Sequence, residues 1–160
     1  VSAVAERAVT GVRFTVFGPA QPAGSKTIGR GPAGRVWVRE AGRRSAPWRQ
    51  QVAQVAGEAI GERELLDGPL AATMTFHVAR PKKHYGAYGL LSSAPVLPAS
   101  RPDLLKLARA VEDALTGVVY RDDAQIVEEL LEKRYGEPAR VEVWVGPAEV
   151  RVEKAGREGR

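Results

Sequence analysis

The apolar positions of this chain fall into two periods. Val12, Phe14 and Val16 alternate with Arg13, Thr15 and Phe17, which predicts a strand that Gly18 and Pro19 end. The stretch from Pro19 to Gly34 has no periodic apolar face, is rich in Gly, Pro and Ala, and reads as a basic loop; Val36 and Val38 around Trp37 suggest a short second strand. Ser45 as N-cap and Pro47 in the first turn open a helix to about Ile60, with Val52, Val55, Ala56 and Ala59 on its inner face. Leu70 to Ala79 shows the clearest alternation, through Leu70, Ala72, Met74, Phe76 and Val78. Pro81 to Pro102 is proline-rich and carries Lys82, Lys83 and His84, the pattern of a long surface loop. A helix from Asp103 to about Leu115 follows. Ile126 to Tyr135 fits strand or helix, and Val141, Val143 and Val145 alternate as a terminal strand.

The order of these elements predicts an α+β fold, a single domain with a mixed β-sheet covered by two main helices. Its expected limits are residues 12–146, with a loose start over 1–11 and a charged tail over 147–160. At 160 residues the chain suits one sizeable core. Twenty-four Lys and Arg against nineteen Asp and Glu give a net charge of +5, a bias toward a polyanionic partner. The absence of cysteine removes disulfides, thiolate metal sites and a cysteine nucleophile. No apolar run approaches the ~20 residues of a membrane helix. Glu6 and Arg7 stand where a signal peptide would be apolar, so the expected location is cytoplasmic, in a prokaryotic or phage setting.

The chemistry concentrates between Arg101 and Ile126. At ~100° per residue, Leu104, Leu107, Ala108, Val111, Ala114 and Leu115 share one side of the helix, while Asp103, Lys106, Arg109 and Asp113 share the opposite arc. Asp122 and Asp123 follow a short apolar run that can return beside the helix. Three converging carboxylates would repel one another unless a divalent cation sat among them, and hard Asp oxygens suit Mg²⁺ or Mn²⁺. A cation-bound water beside Lys106 and Arg109 would serve phosphodiester hydrolysis. The plainer alternative has Asp103 as a helix cap, Asp122 and Asp123 in a turn, and Lys106 and Arg109 on a solvated face. The pattern alone leaves both open.

Pro102, Asp103, Leu104 and Leu107, then Asp113, Ala114 and Leu115, then Asp122, Asp123, Gln125 and Ile126 stand in an order and spacing that resemble the RusA family of Holliday junction resolvases. The segment from Phe17 to Lys26 is similar to that family's proline-rich loop. The resemblance implies a homodimer that binds four-way DNA junctions and cuts them symmetrically with Mg²⁺. It implies Asp103 as the first catalytic aspartate and Asp123, with Asp122 beside it, as the last; all three are metal-ligand candidates. Arg109 falls at the family's catalytic lysine, where it keeps the charge but cannot give up a proton. Two positions depart from the family: Leu105 replaces a second aspartate and Lys106 an asparagine. A junction binder that has lost cleavage, or a regulatory or assembly module, are the alternatives.

Loop cations extend the expected DNA surface. Lys26, Arg30, Arg35, Arg43, Arg44, Lys82, Lys83 and Arg101 flank the proposed site, where phosphate contacts would position DNA without reading its sequence. His77 and His84 are the only histidines and lie in different elements, against a histidine metal centre. The run from Gly29 to Gly34 lacks the Lys-Ser/Thr of a phosphate-binding loop, against nucleotide hydrolysis.

Overall fold

A computed structural model describes residues 11–24, 26–40 and 44–149. Its elements in chain order are β1 (Val12–Phe17), β2 (Lys26–Arg30), β3 (Val36–Glu40), α1 (Ser45–Ile60), β4 (Leu70–Val78), β5 (Tyr85–Gly86), β6 (Gly89–Leu90), α2 (Leu104–Leu115), β7 (Ile126–Tyr135) and β8 (Arg140–Pro147). The main sheet has the order β1-β8-β4-β7. β8 runs antiparallel to both β1 and β4, whereas β4 and β7 are parallel. A parallel pair needs a crossover, and the long loop after β4 together with α2 provides it.

One face of this sheet holds the core. Val12, Phe14 and Val16 of β1, Leu70, Ala72, Met74 and Phe76 of β4, and Val141, Val143 and Val145 of β8 meet Trp48, Val52, Ala56 and Ile60 of α1 and Leu107, Ala108, Val111 and Leu115 of α2. Each buried Leu or Val contributes roughly 1.5–3 kcal/mol, so these contacts rather than helix propensity hold α2 to the sheet. The mixed sheet with two helices is the α+β domain expected from the pattern. The opposite face carries ion pairs, Arg134 with Glu132 at 2.7 Å and Arg140 with Glu142 at 3.0 Å, alongside buried Ala71 and Trp144 and exposed Leu130.

Three local expectations change. The basic stretch before Gly34 is not all loop: Lys26–Arg30 pairs with Val36–Glu40 as a hairpin. The pairing sets Gly29 opposite Trp37, and a Cβ at Gly29 would collide with the indole, so the glycine that looked like loop punctuation makes room for a ring. Ser45 does not cap α1. It is the first helical residue and is buried, Arg44 holds the cap position, and no side chain caps there. Ile126–Tyr135, which fitted strand or helix by pattern, is strand, because the β4 edge offers nine of its ten residues a ladder, with Val127 skipped at a register shift.

Candidate functional site

The signature residues occupy the two ends of α2. Asp103 has extended backbone angles and holds the cap position, yet its side chain makes no cap hydrogen bond. Its Oδ2 lies 3.9 Å from Lys106 Nζ. Both side chains are at least half exposed, and such a pair is worth about 0–1 kcal/mol, too little to keep a phosphate from taking the ammonium. Around them, Arg44, Ser45, Arg101 and Pro102 join residues Ala20 to Gly24 to line a cleft of about 770 Å³. The N–H of Ala23 donates to the carbonyl of Lys106 at 2.8 Å, fastening the loop after β1 to the first turn of α2.

Lys133, which the pattern reading passed over, fixes this end to the sheet. Its Nζ donates to the carbonyls of Ser100 at 2.7 Å and Pro102 at 2.8 Å, so a part-buried ammonium on β7 ties down the segment that presents Asp103. Hydrogen bonds from a charged donor are worth about 1.5–3 kcal/mol. Only a β7 strand running antiparallel to α2 brings residue 133 under residue 102, which one-dimensional spacing does not state.

Asp122 and Asp123 belong to the other end. Gly117, at φ +78°, leads the chain out of α2, and buried Tyr120 anchors the exit by donating its hydroxyl to the Glu112 carbonyl at 3.0 Å. Burial, followed by the nearby Glu112 charge, pushes the Tyr120 phenol well above its ordinary range. Asp122 then caps a short 3₁₀ turn, its Oδ1 accepting from Ala124 N–H at 2.9 Å. Gln125 uses its whole amide. Oε1 accepts from the N–H groups of Arg121 and Asp122 at 3.0 and 3.1 Å, and Nε2 donates to the carbonyls of Leu66 and Gly68, both at 3.1 Å. Gln125→Leu strips all four bonds from the turn that carries Asp123. It is expected to cost about 2–3 kcal/mol, read as a lowered denaturation midpoint in urea with an unchanged slope.

Asp123 is exposed and shares a recess of about 250 Å³ with Glu112, Glu128 and Glu129. The fold places Glu112 beside Asp123. Half-burial, then the charge and hydrogen bond of Glu129, then Asp123 and Asp113, raise the Glu112 carboxyl from 4.5 to about 7. Between those values the folded chain holds a proton that the unfolded chain releases, so stability falls as pH rises through that window. Discounted for solvent screening, the full penalty above pH 7 is about 1–2 kcal/mol. Glu112→Gln is therefore expected to raise the melting temperature by about 4 °C at pH 8 and hardly at pH 4.5, measured by calorimetry. Asp113 faces the other way and pairs with Arg49 of α1 at 3.7 Å.

The two ends do not meet within one chain. Nine residues of helix separate Glu112 from Asp103, about 13 Å along the axis, whereas oxygens sharing a Mg²⁺ each lie about 2.1 Å from it. Among the described residues no group of three or more His, Cys, Asp or Glu is arranged to hold a metal ion. Arg109 is exposed between the ends, and Leu105 is 74% exposed one turn before it. Of the expected DNA contacts, Arg101 lines the cleft, Arg30 and Arg35 are exposed on the β2–β3 hairpin, and Lys82 and Lys83 are exposed in the turn after β4. Lys26 opens β2, but its side chain lies outside the described ones, as does all of Arg43.

The model of the endodeoxyribonuclease RusA family matches residues 17–146, which takes in β1's end, the hairpin, both helices and the rest of the sheet. The chain belongs to the RusA family. A relative in Bacillus subtilis (strain 168), the "Uncharacterized protein YqaN", is 30% identical over 142 residues, covering 84% of this chain and 94% of the relative. Membership places the chain among nucleases that act on Holliday junctions and generally depend on a divalent metal. No helix among the described residues is long and apolar enough to cross a membrane.

Proposed function

We propose that this chain binds four-way and other branched DNA and acts on it as a structure-selective endonuclease with a low intrinsic cutting rate. The observation that carries this reading is the RusA-family chain with an Asp103 carboxylate that makes no cap hydrogen bond and stands, weakly paired with Lys106, inside a cleft flanked by Arg44, Arg101 and Lys106. A backbone phosphate entering there would be held by those cations, with Asp103 beside it to orient water. Arg30 and Arg35 on the hairpin, with Lys26, and Lys82 and Lys83 after β4 would follow diverging duplex arms.

The family's divalent ion, Mg²⁺ or Mn²⁺, would polarise a phosphate oxygen and activate water when bound. Asp103, Asp122 and Asp123 are the signature residues proposed to hold it. The acids of a single chain do not fit that task, since Asp103 stands far from the other two and Asp122 is engaged as a cap. Arg109 and Lys106 then act as charges that steady the phosphate. Leu105 and the Asp103–Lys106 pair favour a second reading, a junction binder without cleavage.

A labelled synthetic four-way junction separates the readings. Expected are binding at least tenfold tighter than to linear duplex of the same length, and slow nicking on addition of Mg²⁺ or Mn²⁺. Binding without products under either metal would leave the second reading, and equal affinity for junction and duplex would remove both. Because each phosphate neutralised adds about 0.9 to the slope of log affinity against log salt, Lys82→Ala with Lys83→Ala is expected to flatten that slope by about 2.

A further inference from the structure

Two helices begin at the cleft that holds Asp103, and their amino ends differ in charge. The first turn of any helix carries backbone N–H groups that lack an intrahelical acceptor, and the aligned peptide dipoles add a partial positive charge there. At α2 the Asp103 carboxylate already stands at that end. At α1 no such group does: the first turn holds no acid, the cap residue is Arg44, and no side chain caps it. An anion entering the cleft is therefore drawn to α1 and repelled at Asp103.

Ser45, the first residue of α1, is 3% exposed yet lines the cleft, and its hydroxyl has no hydrogen-bond partner among the described residues. A buried hydroxyl without a partner is costly, and a side chain that only packed there would do better without the oxygen. Arg44 on the same turn, with Arg101 and Lys106 from the α2 side, gives the surrounding space a positive sign. At about 770 Å³ the cleft is of the size that takes a whole small-molecule ligand, so it has room for more than one phosphate group.

We propose that Ser45 and the amino end of α1 form a subsite for a second DNA phosphate, next along the strand to the one at Asp103, a subsite that rests on the reading of this cleft as the branched-DNA site. The phosphate at Asp103 shares its place with a carboxylate and needs cations to offset the repulsion. The one at α1 meets a hydroxyl donor, the helix dipole and Arg44, and no acid. Holding two successive phosphates fixes the direction in which the strand crosses the cleft, and with it the bond presented to Asp103. The Ser45 hydroxyl then donates to a phosphate oxygen, which supplies the partner it lacks in the free chain.

The test is a set of synthetic four-way junctions, each with one neutral methylphosphonate in place of a phosphate near the exchange point, bound in Ca²⁺. Ser45→Ala is expected to bind the unmodified junction about tenfold more weakly than wild type, with an unchanged dependence on salt because the lost donor is neutral. One methylphosphonate position is expected to cost wild type about tenfold and Ser45→Ala less than about twofold, since the variant has already lost that contact. The urea midpoint of Ser45→Ala is expected to be no lower than that of wild type, because the hydroxyl has no partner to lose. Binding by Ser45→Ala within about twofold of wild type, or a series that costs both chains equally at every position, overturns the inference. So does a loss of affinity accompanied by a midpoint lowered by more than ~0.5 M, which assigns Ser45 to the fold. A preference for junction over duplex that survives those results leaves the functional reading standing. If wild type binds junction and duplex equally, the functional reading falls and inorganic phosphate decides the subsite. At ~50 mM and constant ionic strength it is expected to move the amide resonances of Ser45 and Ala46 in wild type, and the Ala46 resonance far less in Ser45→Ala. Resonances that stay in place in wild type overturn the inference.

Discussion

With aspartate in place of Leu105, nicking of a four-way junction in Mg²⁺ is expected to rise about 100-fold. Such a gain corresponds to ~2.7 kcal/mol of added transition-state stabilisation, the scale of one well-placed electrostatic group. The substitution is clean in structural terms. Leu105 is exposed, so removing it costs the core nothing, and a carboxylate in the first turn of α2 is favoured by the helix dipole. It also restores an i,i+4 partner for Arg109. The measurement is the single-turnover rate at saturating protein, with junction affinity measured in parallel in Ca²⁺. A rate that stays within twofold of wild type would mean that the remaining acids suffice, and that Leu105 has nothing to do with the low rate.

Asp123→Asn is expected to lower cutting at least 100-fold while junction affinity in Ca²⁺ changes less than threefold. The neighbouring Asp122→Asn serves as its control. Asp122 spends one oxygen on Ala124 N–H, and an asparagine carbonyl can accept the same bond, so the turn survives. Asp123 makes no such bond and opens into the recess with Glu112 and Glu129. If Asp122→Asn abolishes cutting and Asp123→Asn does not, the roles of the pair are reversed. If neither matters, the carboxyl end of α2 is a structural turn and the functional reading must rest on the amino end alone.

Several parts of this picture were legible in one dimension, for reasons that particular residues make plain. Val12 to Phe17, Leu70 to Val78 and Val141 to Val145 alternate in sequence because one face of each lies on the core, even though Ala71 and Trp144 on the far face are buried too. The apolar arc of α2 from Leu107 to Leu115 was equally clear, since its burial is almost one-sided. β7 was ambiguous because it is an edge strand over which only part of α2 lies. Leu130 points away from the core and Lys133 under the chain before α2, so neither period dominates. β3 was legible in Val36 and Val38, but β2 and its pairing escaped notice because the two strands pair with each other and pack on little else, which leaves β2 no apolar stripe to count.

The sequence by itself determined the α+β order, the faces that make the core, and the signature residues that mark the family, because periodicity and motif spacing are properties of neighbours along the chain. Only the tertiary structure decided that β7 runs antiparallel to α2. That direction sets Lys133 beneath Asp103 and Glu112 beside Asp123. It also parts the aspartates that a linear reading brings together: a rigid helix of twelve residues keeps its two ends about 18 Å apart, however close their places in a motif appear.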